Sequence, residues 1–318
     1  MSSEGEVVGW VAHDFGLRLS SLVAVPHGAD RQAQVWRGTC DDGSSFAVKL
    51  STGGSAAGLL VTQHLAGTGV PGVPEPLTAT DGRPWSERPG GRLSVMTWIA
   101  GDRAADVDPT LAQWTDLGRV LAAVHAAPVP AELAAVLRSE DLWHGELVDD
   151  ARPLAEQWPA AAQALATVID GVVQQADRLS RRTFRLVLCH ADPHRGNLLV
   201  RGDQVWLIDW DDAVLAPREC DLMFGRVGLP FFGPADTEQR TAFDAGYGIT
   251  DAALDPELLA FYACRRALED ITDWTRQALD VRLPARDREQ ALAIVRDLLS
   301  PSGLVGLAAE RAVQVSAG

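Results

Sequence analysis

Two neighbouring segments of the chain carry a histidine, two carboxylates and an amide at spacings that suit chemistry. The first reads His-Ala-Asp-Pro-His-Arg-Gly-Asn from His190 to Asn197, and Asp209 follows twelve residues later (209 − 197) after an apolar run. Transfer of a phosphoryl group to a hydroxyl needs one carboxylate to accept the proton, and an amide and a second carboxylate to hold Mg²⁺ against nucleotide phosphates. The spacing therefore predicts Asp192 as the base and Asn197 and Asp209 as metal ligands.

Each of these side chains also has a structural interpretation. An aspartate in a loop usually caps its own backbone turn, and Asp192 before a proline favours that role when it is taken alone. We expect His190 to brace the loop through hydrogen bonds rather than to act on substrate. His194 carries less information, and Arg195 could approach a phosphate or lie solvated on the loop. The complete set at this spacing favours phosphoryl transfer.

Two apolar strands have to position these polar groups. The pattern predicts one strand over residues 184–189 and another over residues 204–208, each ending where the polar residues begin. We expect the two strands to be buried neighbours, so that both sets of polar groups lie at one edge.

Lys49 is the only lysine of the chain. The other 27 of its 28 basic residues are arginine, which suggests a GC-rich genome that replaces lysine wherever arginine serves. A compact ammonium and a planar guanidinium are not interchangeable where phosphate oxygens must be reached, so the retained lysine is a candidate functional residue. Its context, Ser-Phe-Ala-Val-Lys-Leu from residue 45, alternates as a strand does and resembles the V-A-I-K strand of kinases. A stray surface lysine is the alternative.

Charge and composition exclude several classes of protein. The chain of 318 residues is 47% hydrophobic and carries 43 acidic against 28 basic residues, a net charge of −15. Nucleic-acid binding needs a basic surface and is not expected. An acidic surface favours a cationic partner, although solubility alone also explains it.

The compartment follows from what the sequence lacks. No apolar run approaches the roughly 20 residues of a membrane-spanning helix, and the first residues show no signal-peptide pattern. We therefore expect a cytoplasmic protein with no membrane association. The cysteines form no C-x-x-C pair, which favours neither a zinc site nor disulfides. They are Cys40, Cys189, Cys220 and Cys264.

The first hundred residues are strand-rich. Besides the Lys49 strand, the pattern predicts a helix over 56–65 and an apolar strand over 93–101. The segment 28–35 lies where a kinase loop would cover the nucleotide, although it lacks the G-x-G-x-x-G pattern.

A hinge is predicted where the strand 93–101 ends at Gly101. The backbone of Thr97, Trp98 and Ile99 is our candidate for adenine recognition.

Helices dominate after residue 104. Asp108 and Asp255 each precede a proline, the pattern of an N-cap followed by proline at the first helical position. Helices are also predicted over 153–180 and, as the last one, over 285–300. The result is an α+β plan with two lobes.

The order of Lys49, His190-x-Asp192-x4-Asn197 and Asp209 resembles the protein-kinase-like superfamily. Over nearly its whole length the chain is similar to aminoglycoside phosphotransferases, and it looks closest to their spectinomycin phosphotransferase-like branch. The flanking motifs that carry this are Gly-Val-Pro-Gly-Val-Pro at 69–74, Pro-Trp-Ser at 84–86, Ile-Asp-Trp-Asp at 208–211 and Glu-Cys-Asp-Leu-Met-Phe at 219–224.

The resemblance implies a bilobal protein-kinase-like fold. Residues 1–100 would form the strand-rich, nucleotide-binding N-terminal lobe, and residues 101–318 a mainly helical C-terminal lobe for catalysis and substrate binding. ATP or GTP would be the co-substrate and Mg²⁺ the metal.

The resemblance also implies residue roles. Lys49 would contact the α- and β-phosphates, Asp192 would deprotonate the acceptor hydroxyl, and Asn197 and Asp209 would ligate Mg²⁺. Asp221 matches a buried aspartate that braces the catalytic loop.

Acidic substrate contacts gather on a C-terminal helix of this family. In this chain that helix would carry Glu269, Asp270 and Asp273, and a solvated charged face is the alternative.

Two positions depart from the family pattern. Kinase folds pair the strand lysine with a helix glutamate, yet residues 50–74 contain no acidic residue, so Gln63, His64 or Glu75 could take that place. Asp211 stands where D-F-G has glycine and adds a negative charge near the metal or the substrate, so we count it with the substrate-binding residues. The A-P-E signature of protein kinases is absent.

The sequence thus predicts an ATP- or GTP-dependent O-phosphotransferase that acts on a cationic aminoglycoside or aminocyclitol antibiotic and confers resistance. The first alternative is a kinase of another small hydroxyl compound, such as a sugar, an amino alcohol or a different antibiotic. The second is a non-catalytic nucleotide-binding scaffold, which the missing lysine partner favours and the intact Asp192, Asn197 and Asp209 set disfavours.

Overall fold

The computed structural model describes residues 3–25, 33–142, 144–226 and 236–316, and most of the predicted loop 28–35 lies outside them. The strands are β1 (Leu19–Ala24), β2 (Ala33–Cys40), β3 (Ser45–Ser51), β4 (Ser86–Arg88), β5 (Gly91–Thr97), β6 (Asp102–Arg103), β7 (Arg138–Ser139), β8 (Val187–Cys189), β9 (Leu198–Arg201), β10 (Gln204–Leu207) and β11 (Val214–Ala216). The α-helices are α1 (Glu4–Phe15), α2 (Ala57–Gly67), α3 (Leu111–Ala126), α4 (Ala131–Ala134), α5 (Gly145–Ala151), α6 (Leu154–Gln157), α7 (Ala162–Leu179), α8 (Glu219–Arg226), α9 (Thr237–Tyr247), α10 (Pro256–Leu279), α11 (Ala285–Leu298) and α12 (Leu304–Ser316).

An antiparallel sheet of order β1-β2-β3-β5-β4 forms the N-terminal part of the fold. Its central strand is β3, in which Val48 and Leu50 are buried. They share a core cluster with Val7 and Val11 of α1. Because side chains alternate along a strand, Lys49 between them faces the opposite side of the sheet.

Helix α1 was not among the predicted elements, although the sequence contains its start signal. Ser3 accepts from the Glu6 backbone while the Glu6 side chain accepts from the Ser3 backbone. This capping box follows the Ser-x-x-Glu pattern of a helix N-terminus, and it could have identified α1.

A hairpin of β9 and β10 carries the segment between the two polar loops. It turns at Gly202, whose φ of +57° is left-handed, and β6 extends it to a three-stranded sheet. Helix α3 packs on this hairpin, since Asp116 Oδ2 accepts from the Val205 N–H at 2.9 Å. The α3 N-cap is Thr110 rather than Asp108, because Thr110 forms a capping box with Gln113.

The two strands that precede the polar loops are not neighbours in one sheet, so that prediction was wrong. Strand β8 pairs with β11, whereas β10 pairs with β9. The tight β9–β10 turn gives β10 a partner next to it in sequence, and this local pairing costs less loop-closure entropy than a distant one.

The chain divides into two compact units. One comprises the described residues of Met1–Arg138 and His190–Ala213, and the other those of Ser139–Cys189 and Val214–Gly318. The first holds the five-stranded sheet, α2, α3 and the β9–β10 hairpin. These two units do not coincide with the two predicted lobes. The predicted lobe boundary near residue 100 stays a prediction.

The second unit is built around α10, which packs against α5, α7, α8, α11 and α12. Asp255 caps α10 and Pro256 opens it, as predicted. The predicted helix 153–180 is broken into α6 and α7 by a 3₁₀ turn that Pro159 starts, and α12 follows the helix predicted as the last.

With an antiparallel sheet first and helices after it, the predicted α+β kinase-like fold is confirmed. Among the helices of the described residues, none has the length and apolar character needed to cross a membrane.

Candidate active site

Lys49 donates to two carboxylates of one loop. Its Nζ lies 2.9 Å from Oδ1 of Asp209 and 2.8 Å from Oδ2 of Asp211. The sole lysine and a predicted metal ligand therefore meet although 160 positions separate them. The Lys49 side chain is only 21% exposed, so the two ion pairs are partly shielded from water.

The two carboxylates determine the charge of Lys49. Burial by itself would lower the pKa of the ammonium, but the charges of Asp209 and Asp211 and their hydrogen bonds outweigh burial and raise the pKa above its usual range. Lys49 is therefore a fixed cation, suited to anionic oxygens and unsuited to accept a proton.

Residues 190–197, which we call the catalytic loop, hold Asp192 through an amide. Asn197 Nδ2 donates to the Asp192 carbonyl at 2.9 Å and to its Oδ2 at 3.0 Å. The backbone turns through Ala191 with a φ of +69°, a left-handed value that non-glycine residues rarely adopt. Since the Asn197 nitrogen faces Asp192, its Oδ1 is left to face a cation.

His190 joins the catalytic loop to the segment before Asp209. Its Nε2 donates to the Ile208 carbonyl at 3.0 Å, and its Nδ1 accepts from the Asp192 N–H at 3.3 Å. This pair of bonds requires the ring proton on Nε2. The ring is fully buried and lies 4.6 Å from the Trp210 ring, centroid to centroid.

His194 lies against the base, a contact that the sequence analysis missed. Its Nδ1 accepts from the Gly196 N–H at 2.9 Å, and its Nε2 lies 3.5 Å from Asp192 Oδ2. A Cβ on residue 196 would lie 2.4 Å from the His194 ring, so glycine is needed there. The Asp-x-His-x-Gly spacing is the signal that could have identified this residue.

Residues 208–212, which we call the metal loop, are bonded to the catalytic loop at Ile208. The Ile208 N–H donates to the Asn197 carbonyl at 2.9 Å, and its carbonyl accepts from His190. Asp209 then adopts a φ of +64°, and buried Trp210 fixes the next position by donating to the Leu207 carbonyl at 3.1 Å. A strained residue between fixed neighbours is typical of functional loops.

Asn197 and Asp209 fit a magnesium ion by the chemistry of their donors. Mg²⁺ prefers carboxylate and amide oxygens. Asn197 offers Oδ1, and Asp209 keeps Oδ2 while Lys49 donates to its Oδ1.

Helix α2 stands where kinase folds carry a glutamate for the lysine, and its polar residues point elsewhere. Gln63 donates to Thr78 Oγ1 at 3.4 Å, and His64 donates to the Pro128 carbonyl at 2.7 Å. In the part of the chain that the structure describes, Lys49 pairs with the metal loop and with none of the three predicted candidates.

Gly58 brings α2 close to the metal loop. A Cβ at this position would lie 2.4 Å from the Trp210 carbonyl oxygen and 3.1 Å from the Asp211 nitrogen. The absence of a side chain at residue 58 therefore allows the first turn of α2 to pack on the loop backbone. The sequence analysis did not identify this residue.

Two of the three backbone amides predicted for adenine recognition are used within the fold. The Thr97 N–H donates to the Glu75 carbonyl at 2.9 Å, and the Trp98 N–H donates to the Ser45 carbonyl at 3.1 Å. The Ile99 N–H donates to no backbone carbonyl of the described residues. The role of this segment in adenine recognition stays a prediction.

Two charged residues of the polar motifs are buried. Arg195 donates through Nε to the Ala104 carbonyl at 2.9 Å and through Nη2 to the Val107 carbonyl. It is therefore neither solvated nor directed at a phosphate. Asp221 in α8 is fully buried, a position that suits support of the fold rather than contact with substrate.

The predicted substrate carboxylates of α10 each lie near an arginine of the same helix, three or four positions away. The pairs are Glu269 with Arg265 at 3.6 Å, Asp270 with Arg266 at 2.9 Å and Asp273 with Arg276 at 3.0 Å. Their negative charge is thus partly compensated within α10. Their role in substrate binding stays a prediction.

The side chains predicted to carry out phosphoryl transfer all lie in the first unit. It offers a carboxylate that can accept a proton, two oxygen donors for a divalent cation, and a fixed ammonium for phosphate oxygens.

Comparison with known proteins agrees with this chemistry. The family model described as "Phosphotransferase enzyme family" matches residues 21–262. No curated protein sequence matches the chain.

Several solved structures share the fold. A spectinomycin phosphotransferase in complex with ADP and spectinomycin is 23% identical, with 98% of this chain and 99% of that one covered and a TM-score of 0.82. An amicoumacin kinase in complex with AMP-PNP and Ca²⁺ is 19% identical, with 94% and 93% covered and a TM-score of 0.66. A choline/ethanolamine kinase family protein from Mesorhizobium loti is 17% identical, with 96% and 98% covered and a TM-score of 0.60. At these identities the likeness concerns the fold.

Proposed function

The chain belongs to the phosphotransferase enzyme family, and on that premise we propose that it phosphorylates a hydroxyl of a cationic aminoglycoside or aminocyclitol antibiotic of the spectinomycin type. ATP or GTP would be the phosphoryl donor. The observation that carries the proposal is the pair of joined loops: Asn197 holds Asp192 on one, and the other presents Asp209 to Lys49.

In the proposed reaction the acceptor oxygen bonds to the γ-phosphorus as the bond to the β,γ-bridging oxygen breaks. The nucleoside diphosphate leaves with that electron pair, and the proton of the acceptor passes to Asp192. Oδ2 of Asp192 accepts from Asn197 and faces His194. The two neighbours orient the base before substrate arrives.

The nucleotide phosphates would meet a fixed cation. Lys49 carries its charge at all relevant pH values because two carboxylates raise its pKa. Asn197 and Asp209 would hold the Mg²⁺ ion, which neutralises charge on the phosphates.

The acceptor class is supported by charge. A net charge of −15 attracts a polycation and repels an anionic acceptor. The proposal is also in line with the shared fold, over 98% of the chain, of an enzyme solved with spectinomycin. A phosphate adds about −1.5 to −2 charges at neutral pH, which opposes binding of the drug to anionic ribosomal RNA and would confer resistance.

A screen that measures release of ADP or GDP tests the proposal. The acceptors are spectinomycin, several aminoglycosides, neutral sugars and choline-like alcohols, each with ATP and with GTP in the presence of Mg²⁺. We expect turnover with at least one cationic antibiotic. Turnover confined to a neutral sugar or a simple amino alcohol would reject the antibiotic assignment. Tight nucleotide binding without turnover of any acceptor would favour a scaffold.

A further inference from the structure

The ammonium of Lys49 pairs with two carboxylates, and only one of them is also a proposed metal ligand. Asp209 offers Oδ2 to the proposed metal site while its Oδ1 accepts from Lys49, so a bound cation would share the charge of that carboxylate with Lys49. Asp211 lies two positions further on, 2.8 Å from Lys49 Nζ, and is free of that second role. When a cation shares the charge of Asp209, Asp211 is the partner whose charge Lys49 keeps for itself.

Helix α2 cannot supply the partner itself. Residues 50–74 contain no carboxylate, and Gln63 and His64 are engaged elsewhere. Its first turn packs on the Trp210–Asp211 backbone through Gly58. The loop that carries Asp211 therefore lies directly against the helix.

We propose that Asp211 positions Lys49, in the role that a helix glutamate has in other kinase folds. The inference rests on the proposed function, because it assigns Lys49 to the nucleotide. It replaces the expectation that Asp211 binds the acceptor. Asp211 acts through Lys49 and is a positioning residue rather than a catalytic one.

The sole lysine makes the test direct. In protein grown with ¹³C-labelled lysine, every lysine side-chain signal comes from Lys49. We expect two separate ε-proton resonances in the wild type, because the ion pairs fix the ε-methylene. In Asp211→Asn with Mg²⁺ present, which engages Asp209, they should merge toward one averaged resonance.

The matched control is Asp212→Asn, the same change one position further on. The Asp212 side chain is 65% exposed and its carboxylate lies 3.9 Å from Arg138, so the Lys49 signals should stay as in the wild type. Unchanged Lys49 signals in Asp211→Asn would overturn the proposal.

Nucleotide binding gives a second readout that needs no acceptor. Calorimetry with ATP and Mg²⁺ should show roughly tenfold weaker binding for Asp211→Asn, the effect expected when one charged hydrogen bond no longer orients the lysine. Asp211→Glu keeps the carboxylate and should recover part of the affinity.

The kinetic outcomes separate the two possible roles of Asp211. A rise in KM for ATP with an unchanged KM for the acceptor supports positioning of Lys49, whereas a rise confined to the acceptor overturns it. If no antibiotic is turned over, the proposed function fails, while the lysine spectra and the calorimetry still decide the role of Asp211.

Discussion

The carboxylate of Asp192 has a structural role beside its proposed catalytic one. Its Oδ2 accepts the Asn197 amide at 3.0 Å and faces His194 at 3.5 Å, and the same side chain is the proposed base. Lys49 is likewise held by ion pairs before any phosphate is present. Both reactive side chains are thus oriented by neighbours, and binding need not bear the whole entropic cost of ordering them.

Asp192→Asn tests the base directly. An amide cannot take the acceptor proton, so we expect kcat to fall by about 100- to 10,000-fold, while the Kd for ATP stays within about twofold. Stopped-flow or coupled assays give kcat, and calorimetry gives Kd.

Asp203→Asn in the β9–β10 turn makes the same chemical change at an exposed position and should leave both values unchanged. Near-normal turnover of Asp192→Asn would remove Asp192 from the mechanism.

At the scale of elements, the contact between α2 and the metal loop has no room for an added side chain at Gly58. The helix approaches so closely at Gly58 that a single methyl group would meet the Trp210 carbonyl at 2.4 Å. A backbone oxygen cannot move aside as a flexible side chain can. The helix and the loop that bears Asp209 and Asp211 therefore have to shift together.

Gly58→Ala should destabilise the protein and impair catalysis. Overpacking costs about 1–3 kcal/mol, which outweighs the gain of up to about 1 kcal/mol from replacing a helical glycine. Urea unfolding and kcat with a saturating acceptor measure the two effects.

Gly67→Ala, at the other end of α2, is the control. Beyond its chain neighbours and the backbone of its own helix, nothing lies within 4 Å of the added Cβ, so this change should be neutral or slightly stabilising. Equal stability of the two variants would contradict the close contact at Gly58.

The stability of the protein should depend on pH through Asp14, which joins α1 to β4. Burial would raise the pKa of Asp14, but hydrogen bonds from Arg88, Ser86 and His13 outweigh it and lower the pKa to about 2 from 3.8. A lowered pKa stabilises the fold above pH 3.8, and this stabilisation is lost as the pH falls toward 2. The difference corresponds to about 2 kcal/mol.

Urea unfolding between pH 6 and pH 2 measures this dependence against Asp14→Asn, which has no carboxylate to titrate at residue 14. The wild type should lose about 2 kcal/mol more of its unfolding free energy than the variant over this range. Parallel curves for the two proteins would exclude Asp14 as the source.

Local patterns in the sequence predicted local contacts. Asp192 and Asn197 are five positions apart, and their spacing alone predicted that they act together. The Lys49–Asp211 pair spans 162 positions, and no periodicity of either segment specifies it. The partner of Lys49 was sought at Gln63, His64 or Glu75 and lies in the metal loop. The sheet partners of β8 and β10 were missed for a related reason, since an alternating pattern identifies a strand without naming its neighbour.

At the scale of the whole molecule, the chain carries an excess of fifteen negative charges. Fields of this kind raise the local concentration of cations and act over distances that salt shortens. The choice among acceptors is therefore partly a property of the entire surface.

The KM for a cationic antibiotic should rise with ionic strength. Between about 20 mM and about 300 mM salt the Debye length falls from roughly 20 Å to under 10 Å, so the attraction is screened and KM should rise several-fold. Steady-state assays at fixed Mg²⁺ measure this. The KM for ATP, an anion, should stay level or fall over the same range, and an acceptor KM indifferent to salt would show that the net charge plays no part in acceptor binding.

Because Lys49 lies in the central strand β3, proteolysis at this residue can measure how often the N-terminal sheet opens. A lysine-specific endoprotease has one site in the chain, between Lys49 and Leu50, and its product would be fragments of 49 and 269 residues (318 − 49). That peptide bond lies in β3 between β2 and β5, where backbone pairing protects it from a protease that needs an extended, unpaired substrate. The rate of this single cut would therefore follow the population of molecules whose sheet has come apart, with no label or engineered site.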